Sequence, residues 1–107
     1  MKPINDKSRK GDLGEYYAVT WLWDNGYEVF KNTGCSGPVD LIAMKDGETT
    51  LVDVKSMSIN YTKRKENKIE IVYTNKRVRT EAQKKLGVKF LAFHPKTRKL
   101  KWINHDK

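Results

Sequence analysis

Short apolar runs flank Asp46-Gly47: Leu41, Ile42, Ala43 and Met44 come before it, and Leu51, Val52 and Val54 follow. Asp-Gly between such runs predicts a hairpin, because a type I′ turn needs positive φ at both central residues. With Asp46 and Gly47 in those places, Lys45 pairs with Glu48, and counting back sets Asp40 opposite Asp53. Side chains alternate across a strand, so Lys55 joins Asp53 on that face. Upstream, the pattern predicts a helix over 11–25, with Asp12 as N-cap and Gly26 as its stop. Its apolar residues fall on nearly every side, so the sheet is expected to cover it well. Glu15 shares a helical face with Ala18, Val19 and Leu22 and points inward or along the rim; Gly14 lets the helix approach the sheet.

The remaining elements follow the same reading. A strand is predicted over 27–31, a long loop or irregular ribbon over 56–68, and a short extended segment over 69–73. A second helix over 74–86 carries Val78, Ala82 and Leu86 as its apolar seam and stops at Gly87. A buried strand over 89–94 breaks at Pro95, and an edge strand over 100–103 closes the chain. The fold class is α/β, a mixed central β-sheet flanked by helices in the order αβββαββ.

At 107 residues the chain divides into a basic N-terminal arm over 1–10 and a single domain over 11–107. The 22 Lys and Arg outnumber 13 Asp and Glu, a net charge of +9, which favours a polyanionic partner and places nucleic acid ahead of a membrane surface. No apolar run approaches the ~20 residues of a membrane span, and no secretory signal opens the chain. The single Cys35 permits no internal disulfide, so the expected location is a reducing cytoplasm.

Two carboxylates directly opposite on adjacent strands are destabilising unless something lies between them, and a divalent cation answers that need. Mg²⁺ or Mn²⁺ takes hard oxygen ligands, so Asp40 and Asp53 are the expected ligands, joined by the Val54 carbonyl and by Glu15 from the first helix. Lys55 beside them would orient or deprotonate an attacking water, or stabilise charge on phosphoryl oxygens. Such a site hydrolyses phosphodiesters.

These residues resemble a known family. Pro38-x-Asp40 followed by Asp53-x-Lys55 resembles the PD-(D/E)xK nuclease motif, with one extra residue between proline and acid and aspartate as the second acid. The wider stretch is Lys10-Gly-Asp-Leu-Gly-Glu15, Asn25-Gly-Tyr-Glu-Val29, Ser36-Gly-Pro-Val-Asp40-Leu-Ile-Ala43 and Val52-Asp-Val-Lys-Ser56. It is similar to archaeal Holliday-junction resolvases and to small bacterial and phage endonucleases that include homing enzymes. The resemblance implies a restriction-endonuclease-like fold and metal-dependent DNA cleavage. Glu15, Asp40 and Asp53 would serve as ligands, Lys55 as assistant to the water, and Ser36 as a further catalytic residue.

The expected function is a Mg²⁺- or Mn²⁺-dependent DNA endonuclease, structure-selective in the manner of a resolvase and acting as a homodimer. Lys7, Arg9, Lys10, Lys63, Arg64, Lys65, Lys76, Arg77 and Arg79 would hold DNA phosphates. The alternatives are a homing, restriction or nicking enzyme on duplex DNA and an inactive DNA-binding module of the same fold.

Overall fold

The computed structural model describes residues 7–34, 37–64, 67–73 and 79–104. Helix α1 (Lys7–Asp24) leads into strands β1 (Glu28–Lys31), β2 (Leu41–Lys45) and β3 (Glu48–Ser56). Strands β4 (Ser58–Arg64) and β5 (Asn67–Tyr73) follow, then α2 (Glu81–Leu86), β6 (Lys89–Phe93) and β7 (Leu100–Trp102). The main sheet has five strands in the order β1-β2-β3-β6-β7, and β4 and β5 form a separate two-stranded sheet. Only the β3–β6 pair of the main sheet is parallel, so the sheet is mixed as expected.

The β2–β3 hairpin has the predicted register. Lys45 pairs with Glu48 and Leu41 with Val52, while Asp46 and Gly47 take φ of 53° and 80°. Positive φ at both turn residues is the type I′ requirement that Asp-Gly meets. Ladder partners share a face, which separates two environments. Leu41, Ala43, Val52 and Leu91 lie beneath α1 with Ala18 and Leu22, all fully buried, and Val19, Trp21, Val54 and Trp102 pack around them. Asp53 and its partner Phe90 belong to the opposite face, as does Lys55 two residues on.

Gly14 packs directly against the sheet, on Phe93 and Ser56. A Cβ there would sit 3.3 Å from both the Phe93 ring and Ser56 Oγ, so any side chain requires those two to give by a few tenths of an ångström. This bears on function because Glu15 is the next residue.

Four sequence expectations need correction. Helix α1 begins at Lys7, so it takes in part of the stretch expected as an arm, and Asp12 is an interior residue rather than the N-cap. Nor is α1 covered on every side: Tyr16 and Trp23 are 64% and 60% exposed. Cations use some of that aromatic surface, with Lys31 Nζ 4.8 Å from the centre of the Tyr16 ring and Arg98 5.4 Å from that of Tyr17. The stretch expected as a loop or irregular ribbon is a regular antiparallel pair, Ser58 against Tyr73 through Arg64 against Asn67. Among the described residues the second helix runs from Glu81, with Arg79 and Thr80 outside it, and residues 74–78 of the expected span lie outside the described residues. Thr80 caps it, and a capping box forms in which Thr80 Oγ1 accepts from Gln83 N and Gln83 Oε1 accepts from Thr80 N. Of the expected apolar seam, Ala82 and Leu86 are exposed and Val78 lies outside the described residues; Gln83 is the buried residue of α2. Gly87 ends the helix at φ 73°, as predicted.

Candidate metal and nuclease site

Strand β2 leaves the ladder at Asp40. The Asp40 N–H still donates to Val52 O at 2.8 Å, while its Oδ2 accepts from Val54 N at 2.8 Å. The carboxylate thus occupies the place of the next backbone acceptor that β2 no longer supplies, which fixes it beside β3. In an extended strand the N–H and C=O of one residue lie on the same edge, so the Val54 carbonyl faces the same gap. Asp53 stands across from Asp40, and the two carboxyl groups are hydrogen-bonded to each other. The two acids meet on one side of the ribbon.

That contact shows in the titration of Asp40. Burial, the hydrogen bond to Asp53 and the nearby charges of Asp53 and Glu15 push its pKa from 3.8 up to about 7, against the opposing hydrogen bond from Val54. Without a cation, Asp40 therefore keeps a proton up to near neutrality. Asp53 is buried, and its Oδ2 takes two donors: Lys55 Nζ at 3.2 Å and Gln83 Nε2 at 2.7 Å. Lys55 also lies 5.2 Å over the Phe90 ring, which holds the ammonium on this face. Asp40, Asp53, Lys55, Gln83, Pro38 and Phe90 help line an open cleft of about 510 Å³.

Glu15 is half-buried on α1, and the charge of Asp53 reaches it. Its pKa is raised mainly by burial, an effect that Lys31 opposes and that Asp12 and Asp53 reinforce. It does not close a three-carboxylate cage: among the described residues no three carboxylate, thiol or imidazole side chains converge as a metal cluster. The chemistry of the Asp40–Asp53 pair nonetheless fits a hard divalent cation. Two carboxyl groups on adjacent strands present hard oxygen donors to one gap, and an ion there would displace the proton that Asp40 keeps.

Other sequence-predicted site residues are placed differently. Arg79, expected to reach phosphate from a helix, precedes α2 and donates from Nη1 to Val88 O at 3.2 Å. Arg9 is exposed on α1. Ser36, Lys65, Lys76 and Arg77 lie outside the described residues, and of Lys7, Lys10, Lys63 and Arg64 only the backbone is described. Sequence reasoning missed Gln83, although Thr80-x-x-Gln83 is a readable capping-box signal.

The proton that Asp40 keeps predicts a pH effect. An acid whose folded pKa exceeds its unfolded value binds more protons when folded, so its contribution favours the fold as pH drops from about 7 toward about 4. In EDTA, the stability difference between the parent and Asp40→Asn should therefore narrow from pH 8 to pH 5. Urea unfolding at the two pH values measures it; a difference that does not change with pH would contradict that retained proton.

No curated protein matches the chain. Among solved structures, a bacterial homing endonuclease, I-Ssp6803I, is similar with a TM-score of 0.64 at 16% identity, over 95% of this chain and 71% of that one. At that identity the likeness establishes the fold. The family model of the archaeal Holliday junction resolvase (Hjc) matches residues 6–107. No helix among the described residues is long and apolar enough to cross a membrane. With all but the first few residues matched, the chain belongs to the archaeal Holliday junction resolvase family and is by that membership a resolvase-like nuclease.

Proposed function

We propose that the protein is a divalent-metal-dependent endodeoxyribonuclease that cuts branched DNA as a symmetric homodimer. The observation that carries this reading is the Asp40–Asp53 pair, fixed beside β3 and flanked by Lys55 in an open cleft. Asp40, Asp53 and the Val54 carbonyl would hold Mg²⁺ or Mn²⁺, with Glu15 adding negative charge from α1. When bound, the ion supplies positive charge for the scissile phosphate and makes water a usable nucleophile at neutral pH. Asp53 holds Lys55 in place, and the Lys55 ammonium meets negative charge building on the phosphoryl oxygens. Ser36 would act from the loop before Asp40.

One chain has one such cleft, so cutting two strands calls for two copies related by a twofold axis. Exposed apolar residues such as Phe30 and Met44 are available for self-association. The strong positive charge supports DNA as the partner, and a reducing cytoplasm remains the location we expect. A second reading, cleavage of linear duplex by a homing, restriction or nicking enzyme, draws on the homing endonuclease among the fold neighbours. A binding module without turnover is the third.

Digestion of a four-way junction, a fork and a linear duplex of matched sequence, with Mg²⁺, Mn²⁺ or EDTA, tests all three. Metal-dependent cutting of the junction alone is expected. Equal cutting of the duplex would favour the second reading, and metal binding without scission the third. The basic ribbon has its own test. Neutralising Lys63, Arg64 and Lys65 should flatten the slope of log affinity against log salt by about 0.9 per lost phosphate contact. An unchanged slope would remove the ribbon from the DNA interface.

A further inference from the structure

Gln83 is 6% exposed and spends its whole carboxamide on three partners. Oε1 accepts from Thr80 N at 3.0 Å, while Nε2 donates to Asp53 Oδ2 at 2.7 Å and to Pro38 O at 3.0 Å. The capping box accounts for the oxygen alone. Both protons of the amide nitrogen go elsewhere: one to the acid on β3, the other to the backbone two residues before Asp40. One rigid planar group therefore spans the two segments that carry the carboxylates. Its anchor is α2, through a cap that also fixes which way the amide faces.

Lys55 and Gln83 converge on the same oxygen of Asp53, which sets the rotation of that carboxylate. A lysine on a flexible stem fixes such a rotation poorly; a buried amide held at three points fixes it well. The Pro38 bond meanwhile holds the bend that presents Asp40.

We propose that Gln83 is a positioning residue that sets the separation and orientation of the Asp40–Asp53 pair for a divalent cation. This rests on the metal-site reading above. Outer partners of metal-binding carboxylates typically contribute about 10–100-fold in affinity.

The test is calorimetric titration of the parent, Gln83→Leu and Thr80→Ala with Mn²⁺, beside thermal melting and steady-state cleavage. Gln83→Leu removes the donors. Thr80→Ala weakens the helix cap but keeps the Gln83 amide, the backbone N–H of residue 80 that donates to it and its bonds to Asp53 and Pro38. Gln83→Leu should weaken Mn²⁺ binding about 10–100-fold and lower kcat with KM for DNA unchanged. Thr80→Ala should lower the melting temperature yet bind Mn²⁺ as the parent does. If Gln83→Leu does not fold, Gln83→Asn, too short to reach both acceptors, takes its place with the same expectation. Parent-like affinity in the Gln83 variant, or an equal loss in Thr80→Ala, overturns the proposal. A parent that binds Mn²⁺ without cutting DNA removes the nuclease reading, and weakened binding in Gln83→Leu still supports the positioning role. A parent that binds no Mn²⁺ overturns both.

Discussion

Asp53→Asn and Asp40→Asn are each expected to slow single-turnover DNA cleavage by about 10³-fold or more, while DNA affinity measured in EDTA stays close to that of the parent. Asparagine keeps the size of aspartate and one acceptor oxygen but removes the charge that a hard cation requires. Asp40→Asn should move stability the other way in the metal-free protein. At pH 8 the two carboxyl groups of the parent face each other beyond the point where Asp40 readily keeps its proton. An amide at position 40 can still accept from Val54 N and can donate to Asp53, so the repulsion becomes a hydrogen bond. With part of Asp40 open to screening solvent, the gain is on the order of 1 kcal/mol, several degrees in melting temperature for a domain of this size. Opposite signs in activity and stability mark a pair kept for function. If Asp40→Asn instead melts lower than the parent in EDTA at pH 8, Asp40 matters chiefly as the strand-end acceptor for Val54.

Much of this arrangement is legible in the sequence because it depends on local rules. Asp46-Gly47 dictates the turn, the turn dictates register, and register brings Asp40 opposite Asp53 without any tertiary information. Gly26 and Gly87 stop their helices by adopting positive φ, which a single residue type makes readable. The face of Glu15 follows from helical spacing alone. What was lost had competing signals. Ile59 and Tyr61, then Ile69, Ile71 and Tyr73, recur with a strand period, but the charge run between them reads as a solvated loop. In the second helix, Val78, Ala82 and Leu86 imitate an apolar seam and draw the start upstream, whereas the Thr80 cap places it at Glu81. The contact of Gln83 with Asp53 spans thirty residues of sequence and depends on how α2 packs over the sheet, so no local rule contains it.

Lys55→Met separates two roles that a loss of activity alone would merge. Methionine nearly preserves the length and apolar stem of lysine, so the contact with Phe90 survives while the ammonium 3.2 Å from Asp53 Oδ2 is lost. If Lys55 acts on the phosphate or the attacking water, cleavage should fall by about 10²–10⁴-fold, as expected for removal of a proton-transfer or charge-stabilising group. Metal binding should change in the other direction. The ammonium neutralises the carboxylate that a divalent cation needs and repels that cation at short range, so Mn²⁺ should bind Lys55→Met more tightly than the parent. Tighter Mn²⁺ binding with slower cleavage would assign Lys55 to the reaction rather than to the ligand set. Weaker Mn²⁺ binding would mean that Lys55 instead organises Asp53. Normal cleavage with tighter binding would reduce the Lys55–Asp53 ion pair to a structural contact, leaving the acids and Gln83 to account for the site.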